Sequence, residues 1–167
     1  MLVSSKSTAK VGRKATVRVT ASSADDDVTA ANDAFRLTAR VVGVGDSRVS
    51  SAGAARISGS ASGGRGTRAD AKGLRVARVE VAVRKLGSGC RWLSGKKAKF
   101  TNRKLAKGVA CSPSGWQAAS GRGSWRLSMR ALPAGRYEAY SRVVTANGFR
   151  EGRFSGSDGN RRTFRVR

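Results

Sequence analysis

The sequence predicts an all-β fold built as an antiparallel β-sandwich. Three observations carry this expectation. Apolar and polar residues alternate strictly in several short runs, turn-forming residues separate those runs, and no stretch shows the 3.6-residue periodicity of an amphipathic helix. The 167-residue chain is 39% hydrophobic, enough to build a core, and its 21 glycines point to short elements joined by loops.

The first alternating run is Ala15 to Ala21, with Val17 and Val19 on one parity and Thr16, Arg18 and Thr20 on the other. Phe35 to Val41 repeats the pattern, and the intervening Ser22 to Asn32 reads as a polar connection. From Gly43 to Gly73 the chain is rich in Gly, Ser and Ala. Only Arg56-Ile57-Ser58-Gly59-Ser60 reads as a strand there, so this stretch is expected to be the linker or domain seam. Val79, Val81 and Val83 then alternate with Arg78, Glu80 and Arg84, whereas Leu74 and Val76 sit on the opposite parity; a β-bulge near Val76-Ala77 reconciles the two halves. Trp125, Leu127 and Met129 share one face of the next run. Leu132-Pro133-Ala134-Gly135 makes a turn, Tyr137, Ala139, Ser141 and Val143 alternate with polar neighbours and Tyr140, and Thr163 to Arg167 closes the chain. Residues 1–52 are expected to form an N-terminal β segment, either a truncated module or added edge strands. Residues 53–167 are expected to form the sandwich proper, because two strands alone bury too little to be stable.

Three features between Ile57 and the C-terminus carry a resemblance. The first is Ile57-Ser58-Gly59-Ser60-Ala61-Ser62, a glycine-rich loop, and Val76 to Val83. The second is Cys90-Arg91-Trp92-Leu93 with Cys111-Ser112-Pro113-Ser114-Gly115-Trp116. The third is Trp125 followed by Leu132, Pro133, Gly135 and Tyr137. In this order they resemble the immunoglobulin-like and fibronectin-III-like repeats of secreted or surface proteins from high-GC bacteria. The resemblance implies a tyrosine corner at Leu132, Pro133, Gly135 and Tyr137, in which a buried ring sends its hydroxyl to a backbone carbonyl a few residues upstream. It also implies neighbouring domains of a longer chain and an extracellular or cell-surface location. One departure is that Cys90 and Cys111 are close in sequence, which suits a bridge stapling one long hairpin. Antibody-type bridges instead join the two sheets.

An even cysteine pair in such a chain fits an oxidising compartment, and a Cys90–Cys111 bond would contribute roughly 3 kcal/mol in the loop-entropy model. Two free buried thiols are the competing reading. No apolar run approaches the ~18 residues of a membrane span. Met1-Leu2-Val3-Ser4-Ser5-Lys6 lacks the apolar core of a signal peptide, so an exported chain would be cut from a longer precursor.

Charge is the most pronounced compositional feature. Lys plus Arg number 34 against 10 Asp plus Glu, a formal net charge of +24. Such a surface attracts nucleic acid, anionic membrane or acidic envelope polymers. High-GC codon usage produces the same Arg, Ala and Gly bias without selection for binding. Histidine is absent, which removes the commonest general base and zinc ligand and argues against an enzyme; no cofactor is implied.

The strongest binding candidate is the segment between the cysteines. Arg91, Lys96, Lys97, Lys99, Arg103, Lys104 and Lys107 are interleaved there with Trp92 and Phe100, cations suited to phosphate or carboxylate and rings suited to stacking on bases or sugars. A merely solvated hairpin is the alternative. Outward-facing Arg18, Arg36, Arg40, Arg126, Arg130, Arg142 and Arg165 would add a diffuse basic coat. Asp25, Asp26, Asp27 and Asp33 form a weak calcium candidate without EF-hand spacing. Ser7-Thr8-Ala9-Lys10 and Ser94-Gly95-Lys96-Lys97 match a serine-x-x-lysine pattern by chance, since its companion elements are missing. Glu80 and Glu138 suit cross-strand ion pairing better than a glycosidase pair, and the glycine-rich stretches precede no helix that would cradle phosphate. These readings leave three expectations: a non-catalytic structural, adhesion or spacer module; a polyanion-binding protein using the basic hairpin; and an accessory domain of an extracellular hydrolase.

Overall fold

The computed structural model describes residues 14–20, 34–40, 43–65, 74–87, 89–106 and 108–167. All regular elements among them are antiparallel strands, and no helix there is long and apolar enough to cross a membrane. The chain divides into two compact units, Met1–Gly43 and Val44–Arg167. The first contains β1 (Lys14–Thr20) and β2 (Ala34–Arg40), paired so that Val17 stands opposite Leu37 and Val19 opposite Phe35.

The second unit is a β-sandwich. Its smaller sheet orders β3 (Gly43–Ala52), β4 (Arg56–Arg65) and β9 (Ser124–Ser128) as β3-β4-β9. The larger runs β11-β10-β5-β6-β7, with β5 (Val76–Lys85), β6 (Cys90–Ser94), β7 (Lys99–Arg103), β10 (Gly135–Thr145) and β11 (Arg161–Val166). The short β8 (Gln117–Ala118) pairs with β5 off that path.

Alternation places one parity of each strand between the sheets. Val49, Ile57, Trp125 and Leu127 from the smaller sheet meet Val79, Val81, Val83, Leu93, Tyr137 and Ala139 from the larger, and all are buried. The opposite parity of the larger sheet is also covered. Ala82, Cys90, Trp92 and Tyr140 form a second apolar cluster against Leu105, Cys111, Trp116 and Phe154.

The bulge expected near Val76-Ala77 is present: Val144 stands opposite Arg78 and Thr145 opposite Val76, so Ala77 is the extra residue. The seam expected from Gly43 to Gly73 is not what its described residues form. Residues 43–65 make the β3–β4 hairpin, closed by a hydrogen bond from Gly53 N to Arg56 O, and the compact unit starts at Val44. The strand expected at residues 56–60 is the first half of β4; β3 and the rest of β4 gave no signal because their inward positions are filled by small or isolated residues. Ser47, Val49, Ile57 and the partly buried Ala52, Ala54 and Ala61 give no apolar alternation.

Glycine content in β4 has a steric cause. Gly59 stands opposite Trp125, whose indole lies across it. A Cβ at Gly59 would lie 1.7 Å from the Arg48 carbonyl oxygen and 2.5 Å from Trp125 Cζ2. Gly59→Ala is therefore expected to destabilise the sandwich by about 3 kcal/mol, since neither a backbone oxygen nor a core indole can yield cheaply. Urea unfolding followed by tryptophan fluorescence checks this, and an unchanged midpoint would contradict the packing.

Candidate functional site

Cys90 and Cys111 are joined in a disulfide with Cα atoms 5.6 Å apart. Cys90 opens β6 opposite Arg103 of β7, and Cys111 lies on the segment after β7. The bond thus folds the segment after β7 back over the start of β6. That segment carries Leu105 and Trp116 onto the outer face of the larger sheet, where they help cover Trp92 and Tyr140.

The β6–β7 hairpin presents its cations outward. Lys96 and Lys97 lie in the connecting turn, Lys99 and Arg103 on β7, and Lys104 directly after it; all five are exposed. None of them has an ion-pair partner among the described residues. Arg91 is half-buried and has a partner within the fold. Lys107 and the calcium candidates Asp25, Asp26, Asp27 and Asp33 lie outside the described residues. Among those described, no group of three metal-ligating side chains occurs.

The turn is held to the sandwich. Arg130 N donates to Lys96 O at 2.8 Å, while Ala98 and Phe100 pack against the main core. The cations therefore stand on an anchored frame.

The aromatic half of the expected interface is corrected. Trp92 is 2% exposed; it packs against Tyr140 with ring centroids 5.4 Å apart and its Nε1 donates to Cys90 Sγ at 3.1 Å. Phe100 turns inward toward the Tyr137 ring. Trp92 cannot stack on a ligand without unpacking the fold, because both parities of β6 point into apolar surroundings, and the partly buried Phe100 packs against the main core.

Tyr137 is fully buried, and its hydroxyl donates to the Pro133 carbonyl at 2.6 Å. Leu132 is buried, Pro133 is exposed, and Gly135 has φ +154°. The ring also stacks on Phe164, with centroids 5.5 Å apart.

All three glutamates of the chain are committed to internal contacts. Glu80 pairs with Arg78 at 2.8 Å and with Arg142 at 2.6 Å, and the Arg142 guanidinium lies 3.9 Å from the Trp116 ring centroid. Arg142 is thus bound into the outer cluster and does not belong to the diffuse coat expected of it. Glu138 accepts from Arg161 and from the Tyr140 hydroxyl, with Arg84 Nη1 3.7 Å away. Glu151 has no cation beside it among the described ion pairs; it accepts from the Ser47 hydroxyl, Val143 N and Asn160 Nδ2. Ser141 donates to Ser47, which links β3, β10 and the loop before β11 in one buried polar network.

Sequence reasoning missed this network and a groove of about 650 Å³ at the foot of the hairpin, lined by Arg84, Asn102, Arg103 and Lys104 among others. The parity of β5 was a usable signal for Arg84, which follows Val83 and must leave the core side. No signal paired it with residues some twenty positions later.

No family model matches this chain, and neither a curated protein nor a solved structure is found similar to it.

The carboxyls set an acid dependence of stability. Burial alone would raise the Glu80 and Glu138 pKa values, but hydrogen bonds and charge from Arg78 and Arg142, and from Arg161, Tyr140 and Arg84, outweigh it and hold both below the ordinary value. Their stabilisation is present above the unfolded-state value and is lost as pH falls through the lower folded value. Glu151 is shifted the other way: burial raises it and its hydrogen-bond donors only partly offset that. Its contribution is full below the unfolded value and is lost as pH rises through the folded one. The melting temperature should therefore fall from about pH 5 downward, and Glu80→Gln with Glu138→Gln should flatten that acid limb while lowering stability at neutral pH. Thermal unfolding across pH checks both statements, and an unaltered acid limb in the double variant would contradict the ion-pair assignment.

Proposed function

We propose that residues 44–167 form an immunoglobulin-like module of a secreted or cell-surface protein, non-catalytic, with interaction as its role. Strand order supports the reading most strongly. β3-β4-β9 facing β11-β10-β5-β6-β7 corresponds to strands A-B-E facing G-F-C-C′-C″ of a variable-type immunoglobulin sandwich without strand D. The Tyr137 hydroxyl bond to Pro133 at the start of β10, the F position, matches a tyrosine corner. The disulfide fits an oxidising compartment. The commitment of every glutamate to structural contacts, together with the absence of histidine, leaves few groups for acid–base work. The test is thiol labelling of the full chain, denatured without reductant after expression through an oxidising route. The expected result is no labelled cysteine, and two reactive thiols would overturn the export reading.

A second reading has its own support. The exposed and unpaired Lys96, Lys97, Lys99, Arg103 and Lys104 on an anchored edge hairpin favour contact with a polyanion. Titrating heparin and duplex DNA at rising salt measures the number of contacts. Lys96→Glu, Lys97→Glu and Lys104→Glu together should make the log–log salt slope shallower by about two to three, near one per lost contact. An unchanged slope would place the contact elsewhere.

A further inference from the structure

We propose that the groove at the foot of the β6–β7 hairpin seats one anionic sugar residue of an acidic polysaccharide. The proposal rests on the polyanion reading and adds to it a place and a ligand class.

Three walls build the groove. Arg84 near the end of β5, with Gly87 and Gly89, forms one side. Asn102 and Arg103 of β7 with Lys104 form the second. Leu105, Val109 and Cys111 form the third, and Cys111 is tied to Cys90 by the disulfide. Gly89, at φ +82°, passes directly over Asn102; a Cβ there would lie 2.9 Å from Asn102 Oδ1. The volume of about 650 Å³ falls within the ~300–1,000 Å³ usual for small-ligand sites.

Three cations line the groove, and among the described residues no carboxylate does. One of the cations, Arg84, is paired with Glu138 at 3.7 Å, a carboxylate it shares with Arg161 and the Tyr140 hydroxyl. Arg84 Nε is buried with no hydrogen-bond partner, and Arg103 and Lys104 are exposed without an ion pair. An anion is the natural complement of such a set.

The remaining lining chooses among anions. Val109 is 56% exposed, one of two large hydrophobic side chains exposed among the described residues, and it stands at the rim beside the cations. An apolar wall, an amide at Asn102 and a group of cations match the C–H face, the hydroxyls and the carboxylate or sulfate of an acidic pyranose. Polyphosphate would use the cations and leave the apolar wall idle. Single-stranded nucleic acid recognition draws on rings that stack on bases, and the two rings of this hairpin are turned into the fold.

Calorimetric titration of the oxidised full chain tests the assignment, with a chondroitin sulfate disaccharide, heparin, tripolyphosphate and an oligothymidylate as probes. Arg103→Glu and Val109→Asp, both at exposed positions, should each weaken disaccharide binding by about tenfold, whereas Lys96→Glu with Lys97→Glu at the turn should leave it within about twofold. Circular dichroism of each variant reports whether the fold persists. Disaccharide binding that responds to the turn and not to the groove would overturn the proposal. So would heparin binding with no disaccharide binding, and either result would leave the hairpin reading standing. Tripolyphosphate or oligothymidylate binding as tightly as the disaccharide would overturn the sugar assignment, and failure of every probe would remove the polyanion reading itself.

Discussion

The antiparallel pairing of β5 with β10, from Tyr137 opposite Lys85 to Thr145 opposite Val76, determines both faces of the larger sheet. One parity delivers Val79, Val81, Val83, Tyr137, Ala139 and Val143 to the inside. The other necessarily delivers Glu80, Ala82, Arg84, Glu138, Tyr140 and Arg142 to the outside. That outer row contains two acids, two arginines and an aromatic ring, and a two-layer sandwich would leave it in water. The segment drawn back by the disulfide and the loop before β11 cover it instead, and the row becomes a half-buried lattice of ion pairs and stacked rings.

Covering that row changes the worth of its charges. An exposed pair contributes little, whereas a carboxylate with two guanidiniums in partly excluded water must remain paired or become costly. Glu80 and Glu138 each hold two arginines in this way. Acids are scarce in the chain, 10 against 34 basic residues, and all three glutamates are drawn into internal contacts. The exposed hairpin cations Lys96, Lys97, Lys99, Arg103 and Lys104 have no ion pair among the described residues, while the glutamates serve the interior.

What the sequence revealed follows the same physics. β5, β9 and β10 were legible because large apolar residues alternate with polar ones, and the bulge was legible because Leu74 and Val76 break parity with the valines after them. β4 was legible only over residues 56–60 and β3 was hidden, because Gly59 must leave room for the Trp125 indole and serines and alanines carry no periodic signal. Trp92 was misread because alternation assumes one wet face, and β6 has none: Trp92 and Leu93, adjacent in sequence, are both buried on opposite sides of the sheet. The Ser47, Ser141, Glu151 and Asn160 network joins residues 104 positions apart, a distance over which local pattern carries no information.

The burial of Trp92 also sets the character of the hairpin as a surface. With Phe100 and Ala98 on the main core and Trp92 on the outer one, the strand pair acts as a wall between two apolar clusters, and its cations are the remaining outward atoms of a rigid element. A flexible basic tail gives up conformational freedom when it meets a polymer, and an anchored hairpin has surrendered it in folding. Under the proposed reading the interface should therefore respond to the spacing of charge along a ligand as well as to its amount, because Lys99 and Arg103, four residues apart on β7, have backbone positions held about 13 Å apart.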